Sequence, residues 1–280
     1  MSGRGSGSKW RTRVNERLRQ PGAVRYVLMY ALSIAVLLGL WWIASVLVKE
    51  WKDGRELLPN PARAISEMIR LAHLWFPNFL VSAWRLVLAI LIAFGLGYPL
   101  GLLVGRERRL DEIISPMIYI IYPIPQVAFI LVLFLVFGIG NPVKVAIVAL
   151  ALFFQILISA RGAAKAIEAT HITSVISAGA SRWQVYRHVI LPATLPSILT
   201  SLRVSIGLGM AFLYIAETSV SIVPRSGGLG AFIRAQWAFS PPQAFAGILA
   251  MALLGLILYV VVDLIERIAC RWRYTARRSS

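Results

Sequence analysis

The stretch GASRWQVYRHVILP, Gly179–Pro192, is a polar and basic segment held between two apolar runs, each long enough to cross a bilayer. Residues 163 to 177 before it have helical composition, and Gly179 suits a helix stop in the left-handed conformation. Ser181 and Gln184 then have the spacing of a capping box, the hydroxyl taking a backbone N–H and the amide reaching back. Pro192 fits the first turn of a third helix, where a missing N–H costs nothing. The pattern predicts a helix, a tight turn and a short second helix, with Trp183 and Tyr186 three apart on its exposed face. A plain connection needs only a few residues, so an ordered protrusion of about thirty implies a protein partner.

The flanking runs set the fold class. The chain has 280 residues, 58% of them hydrophobic and 15% charged, against about 45–50% apolar in soluble domains. Runs of the ~20 apolar residues that span hydrocarbon fall near 27–48, 79–104, 113–137, 143–160, 193–222 and 244–266. The expected fold is therefore all-α and polytopic, with about six transmembrane helices over 26–268. Basic tails at 1–25 and 269–280 flank it, and a cytoplasmic loop spans 161–192.

The net charge of +17 is mainly topological. Arg4 to Arg25 precede the first run, Arg106, Arg108 and Arg109 follow the second, and Arg161, Lys165, Arg182 and Arg187 follow the fourth. The alternate loops carry fewer basic residues, Lys144 in one and Arg225 and Arg234 in another. By the positive-inside rule, both termini and the Gly179 loop are cytoplasmic. Basic residues split among separate segments make no nucleic-acid footprint, and Arg13–Arg19 reads either as a short interfacial helix on anionic lipid or as a solvated tail. The first run exceeds a signal-peptide core and has no clear cleavage site, so it stays as a span. Cys270 is the single cysteine, which excludes an intrachain disulfide.

Other segments carry packing signals. LLPNP at Leu57–Pro61 breaks the chain, and 62–75 then reads as an amphipathic helix on the outer interface through Ile65, Met68, Ile69 and Ala72. Gly97, Gly101 and Gly105 share one helix face, a ridge for close packing either within one subunit or between two. Pro116, Pro123 and Pro125 leave backbone carbonyls without donors, so the third span is either a kinked packing helix or part of a translocation path. Gly227, Gly228 and Gly230, then Phe232, Ile233, Trp237 and Phe239, suggest a short interfacial or re-entrant helix at the outer mouth.

Catalytic constellations are missing. His73, His171 and His188 fall on different segments, and no Gly-x-x-x-x-Gly-Lys-Ser/Thr phosphate loop exists, so any ATP used must be hydrolysed by another chain. Charge within a span costs about 2.5–3.5 kcal/mol, which makes each such residue a functional candidate. Arg85 and Arg203 are expected to snorkel to an interface. Glu217 lies about 21 Å along a continuous helix from Arg203, so it needs another partner, as a structural polar group or as part of a translocation path or gate with Pro123 and Pro125.

The Gly179 segment resembles the cytoplasmic EAA loop of ATP-binding-cassette importer permeases: Glu-Ala-Ala, three residues, Gly, nine residues, Ile-x-Leu-Pro. Gly179, Val189, Leu191 and Pro192 match, while Thr173, Ser174 and Val175 stand where the family has Glu-Ala-Ala. LLPNP, GLGYPLGLLVGR, YPIPQVAFILVLFLVFGIG, Ala216-Glu217 and SGGLG extend the resemblance over most of 57–270, toward the branch for nitrate, sulfonates, taurine and bicarbonate. The resemblance implies a type I importer permease fold in a bacterial cytoplasmic (inner) membrane. It also implies a second copy or homologous permease, two cytoplasmic ATPases that bind the ATP and Mg, and an extracytoplasmic solute-binding protein. The coupling residues it implies are Thr173, Ser174, Gly179, Ala180, Ser181, Arg182, Trp183, Gln184, Tyr186, Arg187, Leu191 and Pro192, with a coupling helix at about 181–188. The residues alone leave two alternatives: a self-sufficient channel or secondary transporter using Arg85, Arg203 and Glu217, and a non-transporting scaffold whose tails bind lipid or nucleic acid.

Overall fold

The computed structural model describes residues 23–48, 57–219 and 227–272. The outer parts of both tails, the expected Arg13–Arg19 helix and Arg225 lie outside the described residues. Contacts divide the chain into two units, Met1–Ala64 and Ile65–Ser280.

In the first unit, α1 (Ala23–Leu47) is apolar on every side, without the polar stripe of a soluble surface helix. Helix α2 (Pro61–Arg70) begins at the predicted break. Asn60 caps it, its Oδ1 accepting the Arg63 N–H at 2.8 Å. The amphipathic helix expected over 62–75 ends earlier, at Arg70; Ala72 to Trp75 already belong to the next helix, and Trp75 Nε1 donates back to the Met68 carbonyl at 2.7 Å.

The second unit is built on four long helices: α3 (Ala72–Arg106), α6 (Asn141–Lys165), α9 (Leu191–Ser219) and α11 (Pro241–Ala269). Between them run α4 (Arg108–Ile121), α5 (Ile130–Phe137), the loop helices α7 (Ala169–Ser177) and α8 (Arg182–Val185), and α10 (Leu229–Trp237) at the predicted Gly-rich segment. Helix α3 has 35 residues and is about 50 Å long, well beyond the ~30 Å of hydrocarbon. Among the described residues, five helices are long and apolar enough to cross a membrane, and a sixth span results if α4 and the 126–137 segment count as one.

That sixth span departs from the straight run expected over 113–137, because it bends by 86° between Arg108–Ile121 and Gln126–Phe137. Pro123 and Pro125 remove two N–H donors within three residues, and Pro125 takes an extended ψ of 110°, which redirects the chain. One 3₁₀ turn at Gln126–Phe129 then leads into α5.

The glycine ridge on α3 packs within this chain, against α6. A methyl group on Gly101 would come within 2.6 Å of both the Leu157 carbonyl oxygen and Ala160 Cβ, and one on Gly105 within 2.9 Å of Ala164 Cβ. Gly97 meets the Phe153 carbonyl at 3.0 Å. In lipid, apolar side chains give no preference for protein over acyl chains, so close backbone approach and the dispersion it permits hold the pair. The core is continuous from this seam through Leu86, Leu152, Ile198, Leu213 and Leu254. Gly101→Leu is expected to cost about 1–3 kcal/mol through overpacking. Gly95→Ala, with nothing within 4 Å of the new methyl, is neutral or gains up to about 1 kcal/mol. Thermal unfolding of the purified proteins in detergent compares the two.

Candidate coupling site and the clamp at the opposite end

At the basic end of the bundle, α6 stops at Lys165 and the chain turns through Glu168 into α7. Thr173 and Ser174 are exposed on α7, their hydroxyls donating to the Ala169 and Thr170 carbonyls. The helix closes with both bonds of a Schellman motif: the Gly179 N–H donates to the Ile176 carbonyl at 2.9 Å, and the Ala180 N–H to the Val175 carbonyl at 3.2 Å. This wrap requires Gly179 at φ +90°, a conformation in which a Cβ is strained. Ser181 then caps α8. The Gln184 N–H donates to Ser181 Oγ at 3.3 Å, and the Ser181 N–H donates to Gln184 Oε1 at 2.7 Å, the reciprocal box predicted from sequence.

Two expectations for this segment are corrected. No third helix starts separately at Pro192: α8 runs through a π-helical turn, Tyr186–Ile190, directly into α9, giving one helical rod from Arg182 to Ser219. Pro192 has no N–H for the His188 carbonyl, and its ring would crowd that oxygen. The wider turn, in which the Leu191 N–H reaches Tyr186, absorbs the mismatch without ending the helix. Tyr186 is also not fully on the exposed face, for it packs partly against the core beside buried Val185. The outward face is formed by Arg182, Trp183 (70% exposed), Gln184, Arg187 and His188. A hollow of about 340 Å³ lies beside the turn, lined by Val175, Ala178, Gly179, Ala180, Gln184 and His188. Behind it, Tyr98 of α3 fixes the start of α9, its hydroxyl donating to the Leu191 carbonyl at 3.1 Å and lying 3.0 Å from Thr194 Oγ1.

At the far end of α9, Glu217 is fully buried and paired with Arg85, Nη1 to Oε1 2.7 Å, with Arg85 1% exposed. Arg85 therefore does not snorkel, and it is the partner that Glu217 requires. Its Nε and Nη2 donate to Asn141 Oδ1 at 3.0 and 2.6 Å, and Nη1 also donates to the Gly227 carbonyl at 3.0 Å. Ser82 Oγ donates to the Glu217 carboxylate and accepts the Leu229 N–H at 2.8 Å. The Gly230 N–H reaches Glu217 Oε2 at 2.8 Å, and the Gly228 N–H reaches Asn78 Oδ1 at 2.9 Å. The first N–H groups of α10 are thus satisfied by side chains of α3 and α9, with a carboxylate at the positive end of the helix dipole. A Cβ on Gly228, at φ +108°, would strike the Glu217 carboxylate and Arg85 Nη1, so only glycine fits.

Asn78, Ser82 and Arg85 fall at i, i+4 and i+7, a polar stripe in an apolar helix that was the readable signal for this clamp. Arg203 is likewise paired, with Asp263 and, at 3.5 Å, with Glu266 of α11. The i, i+3, i+4 spacing of Asp263, Glu266 and Arg267 was its signal. Pro123 and Pro125 are exposed at the bend and are not brought to Glu217. Tyr122 next to them bonds Gln155, which lies about 21 Å along α6 from Asn141 of the clamp. Among the described residues no three His, Cys, Asp or Glu side chains gather as a metal site would require.

A model of the binding-protein-dependent transport system inner membrane component matches residues 97–270, more than half of the chain. The chain belongs to that family. The Escherichia coli (strain K12) taurine transport system permease protein TauC is 30% identical over 249 residues, 86% of this chain and 88% of its own length. Permease protein SsuC of Bacillus subtilis (strain 168), named for aliphatic sulfonates transport, is 29% identical over 279 residues, 98% of each chain. The riboflavin transport system permease protein RibX of Chloroflexus aurantiacus is 30% identical over 270 residues. In fold, the chain is similar to the inward-facing MetNI methionine ABC transporter, with a TM-score of 0.59 and 19% identity over 71% of this chain and 98% of that one.

The protein is thus a membrane permease subunit of a binding-protein-dependent transport system. In this permease the clamp joins α3, α6, α9 and α10 around one buried pair. Glu217→Leu or Arg85→Met alone leaves a buried charge without its counter-ion and is expected to cost about 3–5 kcal/mol. The double variant Arg85→Met with Glu217→Leu is expected to lose less than either single change. Thermal unfolding of the three variants in detergent decides it, and an additive double variant would refute the pairing.

Proposed function

We propose that this permease works as a pair of identical subunits in a bacterial inner membrane, with both termini and the Gly179 loop in the cytoplasm. Two ATPases, which bind the ATP and Mg, sit against that loop, and a solute-binding protein delivers to the opposite face. The rod's first turns, Ser181 to His188, act as the coupling helix. Trp183 is the anchor that enters a groove of the ATPase, since a mostly exposed tryptophan at the tip of a doubly capped turn is costly in water and suited to an interface hot spot.

The observation that carries this reading is the continuity of helix from Arg182 to Ser219. The exposed tip and the Glu217 clamp are the two ends of one stiff element, about 50 Å apart. A push on Trp183 is therefore delivered to the clamp rather than dissipated in a flexible joint, which is what a two-state membrane element driven by a distant ATPase needs. Thr173, Ser174 and Val175 replace the family's Glu-Ala-Ala, so the polar side chains offered to the ATPase on α7 are hydroxyls in place of a carboxylate. This supports docking through the Schellman turn and α8 more than through an acidic contact on α7.

The cargo we infer is a small organic sulfonate of the taurine or alkanesulfonate class, which the names of two close relatives support. Uptake of labelled taurine and ethanesulfonate into proteoliposomes holding the permease, its ATPase and its binding protein tests the class, with riboflavin as the competing cargo. Gly179→Pro cannot hold φ +90° and removes the N–H bonded to Ile176. It is expected to leave membrane insertion unchanged while ATP-driven uptake falls about tenfold or more, equivalent to ~1.4 kcal/mol of lost coupling. Undiminished uptake, or flux through the permease without any ATPase, would overturn the reading.

A further inference from the structure

Helix α4 is held to the bundle in an unusual way. Of its apolar side chains only Ile118 is buried, while Ile113, Met117 and Ile120 face outward. Its attachments to α6 are polar. Asp111 accepts from Arg161 Nε and, at 2.6 Å, from Lys165 Nζ, while Ser115 Oγ donates to the same carboxylate at 2.7 Å. Further along, Arg161 Nη1 donates to Tyr119 Oη at 3.0 Å with the guanidinium 5.6 Å from the ring centroid, and Tyr122 Oη donates to Gln155 at 3.3 Å. Rising positions on α4 meet falling positions on α6, so the two run antiparallel along a ladder of hydrogen bonds.

We propose that the Asp111–Arg161–Lys165 clasp transmits displacement of the coupling loop to the bent α4–α5 hairpin, with Asp111 as the positioning residue. The inference rests on the importer reading above. Arg161 and Lys165 occupy the last turn and a half of α6, and Glu168, three residues beyond Lys165, already opens the loop. The Arg161 backbone is pressed against Gly105, where an added methyl would lie 3.0 Å from the Arg161 Cα, so this end of α6 moves as one body with the end of α3. Its side chain reaches the other way, onto α4. One carboxylate shared by two cations, at 13% and 48% exposure, is stronger than a single surface pair yet wet enough to break and re-form. With Ile118 as its one buried apolar side chain, α4 is little constrained by packing, and the polar clasp lets it follow α6. At the far end of α4 the prolines turn the chain into α5, so a pull on Asp111 tilts the hairpin.

The test uses the assembled complex in proteoliposomes, with taurine and ethanesulfonate as probes and with ATP hydrolysed per solute accumulated as the readout. Asp111→Asn keeps the shape and the Ser115 bond but loses the charge, and it is expected to assemble and hydrolyse ATP while the ratio rises about tenfold. Exchanging the charges, Asp111→Arg with Arg161→Asp, is expected to bring the ratio back to within about threefold of wild type. Lys165→Gln, which removes the more exposed cation, raises it about threefold and covers the case in which D111N fails to assemble. A wild-type ratio in D111N, or in K165Q should D111N not assemble, overturns the clasp; so does an exchange variant as uncoupled as D111N. If the wild-type complex accumulates neither probe, the cargo reading fails instead. The clasp is then read from ATP hydrolysis, which D111N is expected to free from stimulation by the binding protein, and retained stimulation overturns it.

Discussion

One buried ion pair sets the geometry of this permease at the Glu217 end of the bundle. Arg85 and Glu217 are almost wholly enclosed, in a chain whose surroundings are mostly apolar. In so low a dielectric neither charge is tolerated alone, and the pair is favourable only if the remaining donors and lone pairs are also satisfied. That condition draws in Ser82, Asn141, the Gly227 carbonyl and the first N–H groups of α10. Once those contacts are imposed, the registers of α3, α6 and α9 against one another are no longer free. Glycine at 228 and 230 follows, because any side chain would occupy the space of the carboxylate or its neighbours.

The remainder of the bundle solves a different problem, that of keeping stiff elements together in lipid. Between α3 and α6 the answer is backbone proximity along Gly97, Gly101 and Gly105. Between α9 and α11 it is the partly buried charge cluster of Arg203, Asp263 and Glu266. Helix α4 has neither device and is carried mainly on hydrogen bonds and a shared carboxylate, with Ile118 its one buried apolar side chain. The molecule thus combines a tightly packed frame with a hairpin whose first helix is held mainly by polar contacts, and the Gly179 loop is joined to both.

Much of the loop was legible in the sequence because each of its signals is local. The Schellman turn at Gly179 and the capping box of Ser181 and Gln184 involve residues at most five apart, and both form as read. Local signals mislead where a neighbour outside that window intervenes. Pro192 fits a helix start, yet a π turn lets the helix pass through it. Pro123 and Pro125 signalled irregularity in the third span without revealing an 86° bend, since the direction after a break is set by what the chain packs on. Arg85, read as snorkelling, is instead buried, since the carboxylate that stabilises it lies 132 residues away.

By itself the sequence determined the class of the molecule, most of its spans and the caps of its polar loop. Apolar run length and turn chemistry act over a few residues and need no knowledge of the fold. Tertiary structure alone decided which buried charges meet, which face of α3 the glycines serve, and that the loop and the clamp are two ends of one helix. Those outcomes depend on the registers of helices far apart in the chain, and register is chosen by the sum of packing and buried polar contacts rather than by any single segment.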